Sequence, residues 1–419
     1  MAGLTLSSMG SAFPHRITRP VIEVLNLTCR MRKLCRPSTL QWKGSYIEGR
    51  VHVQLNPAVA WMQDGGNFQV PDHQSHVPFK VFTTNIGGAV QLSDNVLAAG
   101  SGGENNAVDV IKSEMETITK TLLKVENGAF PRDGTGILAS VRGSSTAGVD
   151  TPTAGDTSVF VSDLRLLITK GIYEVRDPNN NFNLIGNVTL TKRNNTITTG
   201  SFGNYANITI AAPGLPAGTQ AGMVLVKQST YGVALTGLEK LVDNSPVILQ
   251  GVDAGQYPEW TSPVIPSNGN PLDATLFRQL LAAIKQGAEE EQESLNLVWL
   301  TNNWQLIEVE ELYEEDLRIQ VGDSKKGMPV TLQTAFGTVR PETDPDFPFQ
   351  EHICINPSAL FLAQQSELHW RGIGGQNLVP SQQAAVHNGT VWMSEQLYIT
   401  NRKTCGKITG ASETQKWPY

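Results

Sequence analysis

Reactive residue types occur throughout this 419-residue chain, yet few stand at spacings that would let them act together. Cys29, Cys35, Cys354 and Cys405 include no CxxC pair, so zinc is not expected and small buried thiols are the simpler reading. The histidines are scattered, none with a second histidine four residues away as on a metal-binding helix. Glu289, Glu290, Glu291 and Glu293 fan around a helix end, whereas metal ligands must converge. Asp133-Gly134-Thr135-Gly136 looks superficially like an aspartic-protease loop, but the residue order differs and there is no second copy. Gly100-Ser101-Gly102-Gly103, ahead of a helix, would offer backbone amides to a phosphate. It lacks the lysine of a nucleotide loop and reads as a hinge. No nucleophile-elbow pattern surrounds any serine. Catalysis is therefore not expected, and neither is a metal or a cofactor.

The informative residues are those that position other residues. From Glu104 to about Glu126 the apolar side chains Val108, Ile111, Met115, Ile118, Leu122 and Val125 are spaced 3, 4, 3, 4, 3, a narrow stripe on one helix face. Glu104 suits the first turn, and Asn127-Gly128 supplies a left-handed residue to end the helix. Such a helix is about 34 Å long at 1.5 Å per residue. The segment before it is polar and β-like, with His, Gln, Asn and Asp interrupting every apolar run from His52 to Asp94. A two-stranded ribbon of this kind is marginal in water and is expected to find its burial on another molecule.

Arg50-Val51-His52-Val53, the polar hairpin, the glycine hinge, the long helix and then Gly134-Thr135-Gly136-Ile137-Leu138-Ala139 together resemble the major capsid proteins of tailed bacteriophages, whose shared fold is the Hong Kong 97 type. The resemblance lies in the order of elements over nearly the whole chain. It implies an α+β fold with an N-terminal arm (1–48), an extension-loop β-hairpin (49–100), a peripheral domain (101–145 and about 345–400) with a spine helix (104–126), and an axial α/β domain (about 146–344 and 401–419) carrying a β-rich insertion at about 155–235. It further implies assembly into hexamers and pentamers of an icosahedral phage head around double-stranded DNA bound without sequence specificity. Scaffolding protein, portal and decoration proteins are the implied partners, and the virion is the implied location. An encapsulin-type shell of a cytoplasmic compartment is the alternative. The implied assembly residues are Arg50, Phe68, Phe79 and Phe82 in the extension loop, Gly102 and Gly103 in the hinge, Ile111, Ile118 and Leu122 in the spine helix, and Arg30, Arg32, Lys33 and Arg36 in the arm. Deleting Gln63 to Phe82 is expected to leave a folded subunit that forms no shell. Bulky residues at Gly102 and Gly103 are expected to block shell expansion. With Met1 as the first residue, no clipped scaffolding segment is expected, and a separate scaffold is.

The arm carries seven basic residues against Glu23 and Glu48 in a chain of net charge −7, which suits acidic partner surfaces or packaged DNA. Val21 to Leu34 allows a short helix. From Ile137 to Leu241 short β-rich runs alternate with turns and predict a small antiparallel sheet or barrel: Val159–Val161, Leu166–Ile168, Ile172–Val175, Val188–Leu190, Thr196–Ile197 and Ile208–Ile210. Arg193-Asn194-Asn195 and Ala212-Pro213-Gly214 read as turns. Leu272, Leu276, Phe277, Leu280 and Ile284 mark a helix, Leu295 to Leu300 a buried strand, and Asn302 a helix cap. Asn356-Pro357-Ser358 predicts a short helix over Ala359 to Gln364. In the resemblance, His352 to Pro357 re-enters the peripheral domain and Asn401 to Ile408 is the last strand.

An overall acidic chain lacks the basic footprint of a general nucleic-acid binder. No apolar run approaches the roughly 20 residues needed to cross a bilayer, and Met1 to Gly10 lacks the pattern of a secretion signal. Synthesis in the host cytoplasm is expected.

Overall fold

The computed structural model describes residues 30–54, 58–62, 64, 70, 75–93, 106–144, 152–200, 203–288, 295–303, 305–306, 332–334, 337–348, 351–370, 379–380 and 386–412. Strands outweigh helices, and three sheets carry the architecture.

The first is a closed barrel of six antiparallel strands, in the order Gly203–Ile210, Ser158–Val161, Ile137–Ser144, Val224–Lys227, Ile172–Asp177 and Asn183–Gly200. Inward residues such as Val141, Val159, Val161, Val175, Leu190, Ile208 and Leu225 fill it. Closure removes the exposed edges that so short a set of strands would otherwise leave. The barrel begins at Ile137, where the sequence predicts a small sheet or barrel to begin, and Ile137–Ser144 pairs with both Ser158–Val161 and Val224–Lys227. Two expected features change. Leu166–Ile168 is a buried turn, pinned where Ile168 N donates to Tyr173 Oη at 2.6 Å, and not a strand. Arg193-Asn194-Asn195 is not a turn but part of a bulge in one long strand, where the register jumps between Ala206↔Ile197 and Asn207↔Asn194.

The second sheet is mixed and six-stranded: Val264–Pro266, Gly406–Thr409, Glu351–Ile355, Asn296–Thr301, Gly337–Thr343 and Leu332–Thr334. Helix Ala274–Gly287 covers it with Phe277, Leu280, Leu281 and Ile284, and Phe277 stacks on Trp299 with centroids 3.9 Å apart. The expected helix, buried strand and last strand all lie here. His352–Ile355 is a central strand of this sheet, bonded along both edges and buried, and the chain passes from it into Leu360–Trp370 of the third sheet. Asn302 donates its side-chain amide to the Phe347 carbonyl at 3.1 Å.

The third sheet joins Arg36–Pro37, Leu360–Trp370 and Val386–Ile399, the last pairing also with Val379–Pro380 and Thr84–Ser93. The helix expected over Ala359 to Gln364 is therefore a strand. Its residues gain ladder partners on both sides, and Phe361 stacks on Tyr398 at 5.3 Å, which outweighs local helix preference. The long helix, Asn106–Ala129, lies on this sheet, with Leu122 buried against Leu368, Val391 and Met393. The helix does not end at Asn127-Gly128. Asn127 donates to the carboxylates of Asp344 and Asp346, and a Cβ on Gly128 would stand 2.5 Å from Leu166. Glycine is needed there for close packing rather than for a left-handed turn.

Candidate assembly surfaces

The hairpin pairs Tyr46–Gln54 with Ser75–Phe82 in register Tyr46↔Phe82 through Gln54↔Ser75. Its second strand alternates cleanly, Val77, Phe79 and Val81 inward, His76, Pro78, Lys80 and Phe82 outward. Phe79 and Phe82 thus face opposite sides. Phe79 and Val81 join Ile47, Val252, Ala254, Trp260 and Tyr398 in a core of this chain, so the base of the hairpin is buried on its own subunit, contrary to expectation. Gly49 lies opposite Phe79, whose ring occupies the space a Cβ would take. Arg50 is exposed, and Phe82 is 58% exposed beside Tyr46. The outer part has the opposite character: Trp61 is fully exposed at 104%, with Val59 at 83%, Val70 at 85% and Met62 at 46%. Phe68 lies outside the described residues, as do the hinge glycines Gly102 and Gly103.

Beyond Thr83 the chain enters Thr84–Ser93, which runs beneath the long helix; a Cβ on Gly88 would touch Ile118 at 3.3 Å. Ile118 is half-buried and Leu122 is buried, as the stripe predicts. The backbone of Ile111 is helical, and its side chain lies outside the described residues.

The basic arm divides. Arg30–Leu34 is helical, and Met31 is buried in the main core. Arg32 does not face outward as expected. Its Nη1 donates to Glu126 Oε1 at 2.6 Å and stands 3.1 Å from Glu395 Oε2. One guanidinium therefore ties the short helix to the long helix and to the strand Val386–Ile399. Two buried carboxyls share this cation, and neither oxygen of Glu395 nor Glu126 Oε2 accepts a hydrogen bond. Burial, with Glu126 beside it, pushes Glu395 up to about 8, and burial raises Glu126 despite the attraction of Arg32. Lys33 and Arg36 are exposed. Sequence reasoning missed Glu126, although it falls four residues after Leu122 on the apolar stripe, where a carboxyl needs a partner.

Beside this pair, a cavity of about 160 Å³ opens between the long helix, the barrel and Thr84–Ile86. Its wall is mostly apolar, with Val125, Ala129, Leu138, Ile168, Val233 and Leu235, and Glu126, Glu395, Lys124, Arg132 and Lys227 also line it. Val233 is 59% exposed.

Among the described residues, His352, Cys354 and Cys405 are deeply buried. His352, bonded through Nδ1 to Thr301 at 3.1 Å, is held by burial down at about 3, so it stays neutral. Burial raises the Cys354 thiol and pushes Cys405 up to about 11, which keeps both in the unreactive protonated form. Among the described residues no cluster of three or more metal-ligating side chains occurs, and no helix is long and apolar enough to cross a membrane.

Comparison with solved structures finds similar chains of low sequence identity. A capsid subunit of cyanophage A-1(L) is similar at 11% identity, covering 92% of this chain and 93% of that one, with a TM-score of 0.49. The capsid of an empty GTA particle is similar at 11% identity, over 92% and 90% of the two chains, with a TM-score of 0.49. An encapsulin complex from Synechococcus elongatus is similar at 9% identity, over 100% and 95%, with a TM-score of 0.43. No protein-family model and no curated protein matches the sequence.

Proposed function

We propose that this chain is the major capsid subunit of a tailed bacteriophage, building hexamers and pentamers of an icosahedral head around double-stranded DNA. The observation that carries the reading is the hairpin. Its base is locked into the subunit's own core through Phe79 and Val81, while its outer part presents Trp61, Val59, Val70 and Met62 to solvent. Large exposed apolar groups on a projecting ribbon mark a surface that another molecule covers. Heterologous contacts of this kind, one patch meeting a different patch on the next copy, generate closed rings. In this reading the hairpin overlies a neighbour, the sheet with the long helix joins rings, and the six-stranded sheet with helix Ala274–Gly287 forms the ring centre. Lys33 and Arg36 remain available for acidic partner surfaces or DNA, and scaffolding, portal and decoration proteins are the expected partners. The closed barrel favours a phage head over an encapsulin-type compartment, because the compartment resemblance implies a shorter axial domain.

The test is a deletion confined to residues 58–70. The longer deletion to Phe82 would remove Phe79 and Val81 from the core and unfold the subunit. The shorter one is expected to keep the wild-type thermal transition and to elute as free subunits or single rings, where the wild-type chain elutes as particles. Wild-type particles from the deleted chain would overturn the assignment of the hairpin.

A further inference from the structure

Resting on that shell-forming reading, we infer that the cavity between the long helix and the barrel is the socket for Trp61 of a second copy of this chain. Four observations converge on this pairing.

The occupant must be apolar and of aromatic size. The cavity measures about 160 Å³ with an apolar wall that includes Leu138 and Ile168; an apolar cavity of about 150 Å³ holds a benzene ring. Val233, 59% exposed, stands at its rim beside the exposed Asn85 and Lys227. The occupant should bring a hydrogen-bond donor as well. Glu395 is 1% exposed and contributes to the wall; its Oε2 is 3.1 Å from Arg32 Nη1, while its Oε1 has no hydrogen-bond partner. A buried tryptophan usually places its indole N–H on an acceptor, and Glu395 offers one.

The chain itself carries one such group in an otherwise unexplained setting. Trp61, at 104% exposure, is the most exposed of the large apolar side chains described, and Val59 and Met62 flank it. The same subunit does not fill its own socket. The hairpin ladder has its Tyr46↔Phe82 end next to Thr84, which lines the cavity, and its Gln54↔Ser75 end furthest away. Eight paired residues carry the outer end about 27 Å from the base at roughly 3.3 Å per residue. Trp61 follows Gln54 by seven residues in the chain and is itself in solvent.

The experiment replaces Trp61 with the photo-crosslinker benzoylphenylalanine in the full chain, assembles particles and irradiates them. Covalent dimers are expected, with the crosslink mapping to residues 125–138 or 230–235 of the other subunit. Crosslinks to other surfaces, or none from formed particles, would overturn the socket while leaving the shell reading intact. Should the substituted chain fail to assemble, the crosslinker is moved to Val233, with the joined peptide expected to contain residues 58–62; any other joined peptide would again overturn the pairing. A wild-type chain that never forms particles would defeat the shell reading itself, and the socket with it.

Discussion

At the scale of single residues, the most consequential group is the pair Glu126 and Glu395 around Arg32. A folded-state value near 8 for Glu395 means the folded chain holds a proton that the unfolded chain releases near the ordinary carboxyl value. The associated stability is complete below about pH 4.5 and is lost as pH rises towards 8. For this pair, melting temperature should therefore fall between pH 5 and pH 9, and Glu395→Gln should flatten that fall and stabilise the chain at pH 9. A melting temperature that rose through the window in wild type, with no change in the variant, would contradict the assignment. Arg32→Ala should cost about 3–5 kcal/mol at neutral pH, since it strands buried carboxyls; denaturant titration reads this directly. Leu122→Ala should cost about 2–5 kcal/mol, the range for truncating a buried leucine. Leu122 was legible from its periodicity alone. Arg32 was not, because a run of basic residues near a terminus looks the same whether it faces solvent or a buried acid 94 positions away.

At the scale of elements, local patterns succeeded where burial is one-sided and failed where tertiary pairing decides. The long helix and helix Ala274–Gly287 announce themselves because each hides one face. Ala359 to Gln364 contains good helix formers, and only the distant partners Arg36–Pro37 and Leu397–Ile399 make it a strand. The hairpin was legible as a ribbon, but its anchorage was not. Phe79 and Phe82 drew attention as a pair, whereas the working alternation was Val77, Phe79, Val81. This difference yields a prediction. Phe79→Ala should destabilise the isolated subunit by about 3–5 kcal/mol. Trp61→Ala should leave its melting temperature unchanged and weaken only assembly. Equal thermal shifts in the two variants would contradict the division between a fixed base and a projecting tip. Trp61 lies in the apolar run Pro57 to Met62, which the sequence reading passed over, and its proposed role needed the cavity between helix and barrel, which no local pattern encodes.

At the scale of the whole molecule, the proposed function makes this chain one repeating unit of a larger object. Of the ten large apolar side chains that are exposed among the described residues, Val59, Trp61, Met62, Val70 and Phe82 belong to the hairpin and its connecting segment, and in the proposed reading a neighbouring copy covers them. Under that proposal, the net charge of −7 suits a wall that encloses nucleic acid without holding it tightly. Electron microscopy of the purified full-length chain, under crowded and high-salt conditions that favour association, tests this most directly. Closed icosahedral shells with five- and six-fold clusters are the predicted result, and a uniform monomer under every condition would contradict it.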